Sequence, residues 1–204
     1  MPSEYDPLRQ TLDDPLAEDR LELVQDHFEE ASRPYLSQPW SWLAWALILP
    51  SAALATPEVL AIAGGPGVLL LWSLAVILGG LIEAWQILRG RGRGRAESSS
   101  LANWVLRAQG NLSLVAVVVS AVLLLHEMAW LLPGVWLLLL GHSLFTLGGL
   151  AAGALRTAGL VYQAGGLLAI WPHGRSLAVF ALATLLGNLW VAWSIRRRAG
   201  SGNR

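Results

Sequence analysis

The apolar and polar positions along this chain follow two regimes, which change near residue 39. Before it, single apolar residues are scattered among acids. Beyond it, long apolar runs alternate with short breaks rich in Pro, Gly, Arg or Trp. In the first regime, Asp14 followed by Pro15 predicts an N-cap with proline at the first helical position. Pro34 ends that helix after about Ser32, because the residue before a proline is pushed out of the helical region. At 100° per residue, Ala17, Leu21, Val24, Phe28 and Ala31 form one narrow stripe. Glu18, Asp19, Glu22, Asp26, Glu29 and Glu30 occupy the opposite face. Anionic headgroups repel such a face, so the stripe of Leu21, Val24 and Phe28 is expected to dock on protein.

In the second regime each run is compared with the roughly 20 apolar residues that span a bilayer. The pattern predicts about six crossings, near residues 39–55, 66–88, 101–125, 133–155, 157–171 and 176–195. Thr56-Pro57-Glu58 is read as a short outer turn, and Pro50 as a kink. Gly64-Gly65-Pro66-Gly67 splits the long run that follows into an interfacial piece and a crossing. Arg156 is placed in a tight inner turn, and Pro172-His173-Gly174-Arg175 in an outer one.

Charge then orients the runs. The loop Arg89-Gly90-Arg91-Gly92-Arg93-Gly94-Arg95 is short and basic, and such loops stay in the cytoplasm. Alternation places Arg156 and Arg196-Arg197-Arg198 on the same side and only Arg175 outside. Trp40, Trp42, Trp45, Trp85, Trp104, Trp190 and Trp193 fall at the inner interface, and Trp130 and Trp171 at the outer one, as indole belts do. The expected architecture is an all-α, polytopic membrane helix bundle of about six transmembrane helices, with a short N-terminal cytosolic amphipathic helix. Residues 1–38 form the acidic cytosolic segment, 39–198 the bundle and 199–204 a cytosolic tail. The expected location is a bacterial cytoplasmic (inner) membrane, crossed several times, with both termini inside.

Composition agrees. Of 204 residues, 54% are hydrophobic and 14% charged, against about 25% charged in ordinary soluble domains. The net charge of +0 conceals an asymmetry, with ten of fourteen acids before residue 31 and eleven of fourteen arginines after residue 88. With no cysteine, disulfides, thiolate metal sites and a cysteine nucleophile are excluded. No basic, apolar secretory leader is visible at the N-terminus.

Several polar groups fall inside the apolar runs. Glu83 and Arg107 lie about six residues inside the cytoplasmic ends of two sequential helices, which predicts an ion pair. Asn103, Arg107 and Asn111 recur every four residues and share a face. A structural clamp is the plainer reading of this cluster, and a proton or ion path the sharper one. Near mid-membrane, His142, Tyr162 and Gln163 lie at similar depth, with Asn188 deeper. A hydrogen-bonded neutral histidine is the plainer reading there. A haem or metal ligand is the sharper one, but His126 sits about 13 Å away along the membrane normal, and no metal-ligand spacing is present. Small residues should drive helix association, and Gly149 and Gly153 have GxxxG spacing. The arginine loop lacks interleaved aromatics and shares its compartment with acids, so nucleic acid is not expected to bind.

Leu132-Pro133-Gly134-Val135-Trp136, then Ala164-Gly165-Gly166-Leu167, then Gly187-Asn188-Leu189-Trp190 before the terminal arginines form a pattern over residues 130–198. It resembles the C-terminal half of uncharacterised multi-spanning membrane proteins of acidobacteria and their relatives. Those proteins often carry Gly-Leu-His in the last helix, where this chain has Asn188-Leu189-Trp190. Some of their genes lie beside winged-helix regulators, so the resemblance implies a regulatory or accessory role.

The expected function is that of a non-catalytic integral membrane protein, an accessory, scaffold or regulatory subunit that contacts protein partners or further copies of itself. No G-x-S-x-G, H-E-x-x-H or P-loop supports an enzyme, and no cofactor is expected. The alternatives are a small oligomeric transporter or channel using the His142/Gln163 layer, or a cofactor-binding membrane subunit.

Overall fold

The computed structural model describes residues 39–91, 100–150, 153–171 and 174–201. The predicted N-terminal helix, with Leu21, Val24 and Phe28, lies outside them. The described elements are helical: α1 (Pro39–Arg91), α2 (Ser100–Leu125), a 3-10 turn (Ala129–Leu131), α3 (Leu132–Leu150), α4 (Gly153–Ile170) and α5 (Ser176–Ser201). Three helical stretches are long and apolar enough to cross a membrane: Pro39–Gln86, Ala129–Gly148 and Ser176–Arg198. Gly110–Leu125 is a shorter apolar segment.

The longest of these folds back on itself. Gly64 has φ 65 and ψ −162, a backbone conformation essentially restricted to glycine. The Trp72 indole N–H donates to the Thr56 hydroxyl at 3.1 Å, and the Trp45 indole N–H donates to Glu83 Oε1 at 2.8 Å. In one straight helix those partners would stand about 24 and 57 Å apart. Both pairs are centred on residue 64, so residues 39–63 and 65–91 form antiparallel limbs. Pro66 falls in the first turn of the second limb, where a missing N–H removes no helical bond. The turn expected at Thr56-Pro57-Glu58 is helix instead, with the Thr56 hydroxyl donating to the Ala52 carbonyl at 2.7 Å.

The same construction recurs in α2 and α3. The Trp136 indole donates to the Ser120 hydroxyl at 3.0 Å, and Ser120 donates to the Ala116 carbonyl at 2.7 Å. In both hairpins the tryptophan follows its hydroxyl partner by 16 residues, and the carbonyl belongs to a buried alanine. Here the chain reverses at Glu127, φ 59. Met128 N–H reaches the Leu123 carbonyl at 2.7 Å and Glu127 N–H reaches Leu124 at 3.1 Å, the paired bonds that close a helix over a left-handed residue. Between α4 and α5 the left-handed residue is Gly174, φ 69.

α5 sits centrally, packed on α1 and α4, while α3 packs on α4 and α2 attaches to α3 alone among its main contacts. Ala53, Leu137, Tyr162, Ala169, Phe180, Ala181 and Ala183 form the core. Trp72 meets Phe180 edge-on at 5.6 Å.

The α3–α4 contact is set by glycines. Gly134, Gly141 and Gly148 recur every seven residues on α3, as do Gly159 and Gly166 on α4. A Cβ at Gly141 would stand 2.8 Å from both the Gly159 carbonyl and the Gln163 amide, and one at Gly166 would stand 2.9 Å from the Gly134 carbonyl. A seven-residue repeat keeps one seam facing its partner at a shallow crossing angle. The Gly149/Gly153 spacing does not form a motif, because α3 ends at Leu150 and α4 begins at Gly153. For the same reason Arg156 lies within the first turns of α4 rather than in a turn.

Candidate functional site

The polar residues inside the helices separate into three groups. Glu83 is exposed, and its carboxylate accepts the Trp45 indole proton. The ion pair expected between Glu83 and Arg107 is not formed: among the described residues the second limb of α1 packs on the first limb, and α2 packs on α3. Arg107 and Asn111 point out of the bundle. They share a stripe with Leu114, Val115, Val118 and Val122, all exposed, while Ala116 and Ser120 face α3. Asn103 lies one turn before Arg107 on the same helix.

The mid-depth layer also divides. Tyr162 and Asn188 are each 3% exposed, and their side chains face each other between α4 and α5. Gly187 makes room for the Tyr162 ring, which lies where its Cβ would be. Asn188 Nδ2 is buried without a hydrogen-bond partner. Thr184, fully buried, returns its hydroxyl to the Phe180 carbonyl at 2.8 Å. Gln163 is half-buried against Gly141 in the seam. His142, next along α3, lies on the exposed side, so it does not join the buried pair. Among the described residues no group of three His, Asp or Glu side chains is close enough to hold a metal ion.

The third grouping lies where the hairpin ends meet. Arg89 stacks over Trp85 at 3.8 Å, Arg156 over Phe145 at 4.9 Å, Arg196 over Trp40 at 5.3 Å and Arg197 over Trp193 at 5.0 Å. Each ring presents its negative face to a guanidinium. Trp190 and Trp193 lie 5.2 Å apart, tilted by 38°. They border an open groove of about 460 Å³. Arg197 and Arg198 close one side of it, and Gly153, Ala154 and Thr157 of the first α4 turn form the other.

Sequence reasoning placed these arginines and tryptophans at one interface but missed their pairing. Two pairs, Trp85/Arg89 and Trp193/Arg197, carry a readable signal in their four-residue spacing, which puts side chains on one helical face. The Trp40/Arg196 pair requires α1 to lie along α5, and the groove requires α4 to begin beside the end of α5. Neither follows from local pattern. No family model, curated protein or solved structure matches the chain.

Proposed function

We propose that this protein is a non-catalytic membrane subunit that holds another protein chain against the outer face of α2. The bundle crosses a bacterial cytoplasmic membrane six times, as three hairpins whose positive-φ reversals at Gly64, Glu127 and Gly174 face outward. The arginine-bearing ends and both termini face the cytoplasm.

One observation carries this reading: Arg107 and Asn111 are exposed on a helical stripe that they share with the exposed apolar residues Leu114, Val115, Val118 and Val122. The hydrocarbon core offers such groups no hydrogen-bond partner, and an intramembrane charge left uncovered there is expensive. A second copy of this chain is a poor cover, because a two-fold axis along the membrane normal would bring Arg107 to Arg107 at equal depth. The complementary surface is therefore a helix of a different protein, carrying a carboxylate or amide opposite Arg107. His142 and Thr146, exposed on neighbouring α3, extend the polar surface toward mid-membrane. The accessory role implied by the acidobacterial resemblance fits the same reading. The buried Tyr162–Asn188 pair and the outward-facing His142 do not form one polar layer, so the transporter alternative gains no support from this arrangement.

Purification in a mild non-ionic detergent, followed by mass measurement of the intact particle, tests the proposal. A second polypeptide in fixed ratio, lost in Arg107→Leu, supports it. A particle containing only this chain, whether monomer or oligomer, defeats it.

A further inference from the structure

From the groove between the first turn of α4 and the last turns of α5, we infer that this protein binds the phosphodiester headgroup of an anionic phospholipid. The inference rests on the reading that α4 and α5 cross a bilayer, and it needs no partner chain.

The chemistry of the walls selects an anion. Arg197 and Arg198 supply two positive charges, and among the described residues no carboxylate lines the groove. The groove borders the positive end of α4, an 18-residue helix whose first turn holds no acid. Thr157 donates its hydroxyl proton to the Gly153 carbonyl at 3.2 Å, which fixes the orientation of its side chain on the groove wall. The Arg197 guanidinium stacks over the Trp193 ring at 5.0 Å, which positions it before a ligand arrives.

The surroundings select a lipid over a soluble phosphate. On α4, Leu160, Leu167 and Leu168 lie beyond Thr157 toward the far end of the helix and are 52%, 65% and 61% exposed. On α5, Leu186 and Leu182 continue from Trp190 at four-residue spacing and are 50% and 57% exposed. Together they form an apolar track leading out of a basic cleft, with Trp190 and Trp193 at the depth where indoles border headgroups. A diacyl phosphodiester would satisfy both parts, the phosphate between the guanidinium groups and the positive end of α4 and its chains along the leucines.

The full chain, extracted from membranes in detergent, is compared by native mass spectrometry with phosphatidylglycerol and phosphatidylcholine of identical acyl chains. The expected result is retention of phosphatidylglycerol about tenfold above phosphatidylcholine. Arg197→Gln with Arg198→Gln should bring the two within about twofold. Thr157→Phe, which fills the groove and leaves both arginines in place, should do the same, so the result does not depend on one variant folding. Arg175→Gln, at the opposite end, should leave the preference intact. Equal binding of the two lipids by the unaltered chain, or an undiminished preference in both groove variants, would overturn the inference. Displacement of the lipid by inorganic phosphate or by glycerophosphoglycerol would overturn the lipid assignment and leave a soluble-phosphate site. A chain that does not partition into membranes would instead defeat the membrane reading beneath it.

Discussion

Replacing Gly159 with alanine tests the glycine seam. The added Cβ would stand 2.5 Å from the Phe145 amide nitrogen and 2.7 Å from the Gly141 carbonyl. Ordinary contact begins near 3.4 Å, so α3 must retreat by about 0.7 to 0.9 Å, and both obstacles are backbone that no side-chain rotation relieves. Separation of that size forfeits about a quarter to a half of each dispersion contact along the seam. Overpacking of this kind costs roughly 1–3 kcal/mol, and this site belongs at the upper end. Alanine returns about 1 kcal/mol through its better helix propensity. The net expectation is a loss of about 1–2 kcal/mol. Gly80→Ala provides the control, since nothing lies within 4 Å of a Cβ there, and it should be neutral or stabilising by up to about 1 kcal/mol. Reversible unfolding in mixed micelles of rising dodecyl sulfate, followed by tryptophan fluorescence, measures both. Gly159→Ala as stable as Gly80→Ala would refute the close approach of α3 to α4.

Double-mutant cycles on Trp72/Thr56 and Trp136/Ser120, using Phe with Val and Phe with Ala, should each return a coupling of about 0.5–1.5 kcal/mol, as hydrogen bonds within membranes do; zero coupling in either would show that its hairpin is not closed by that bond. Glu83→Gln keeps an acceptor for Trp45 and should cost under about 1 kcal/mol, with Arg107→Gln additive to it within about 0.5 kcal/mol. Recovery of stability in the double variant would restore the ion pair. Glu127→Gly should stabilise by about 1 kcal/mol in the same unfolding assay, because a left-handed backbone penalises a Cβ; a destabilised variant would mean that the reversal is held by the glutamate side chain.

Much of the helical order was legible because apolar runs and their Pro/Gly/Arg breaks are local signals. The observed α2 and the start of α3 lie within a residue or so of the predicted positions, and α5 starts where expected. Pro57 misled because a proline reads as a stop signal in water, whereas here the first limb continues through it as helix to the glycine break. The α3–α4 junction was placed too late because Arg156 looked like a loop residue. Its place in α4 follows from the seam, whose seven-residue glycine spacing was present in the sequence but read only as general smallness. The Glu83–Arg107 pairing failed for a different reason. Sequential helices were assumed to be neighbours, yet the second limb of α1 packs on its own first limb and α2 packs on α3. No local pattern encodes that choice.

Photo-cross-linking in intact cells tests most directly the claim that another protein covers the outer face of α2. A benzophenone amino acid placed at Val118, on the exposed stripe with Arg107 and Asn111, should yield one discrete protein adduct of a different polypeptide. The same group at Leu167, among the exposed leucines of α4, should yield lipid and no protein adduct. Adducts from position 118 that match those from position 167, or that consist only of this chain joined to itself, would contradict the account.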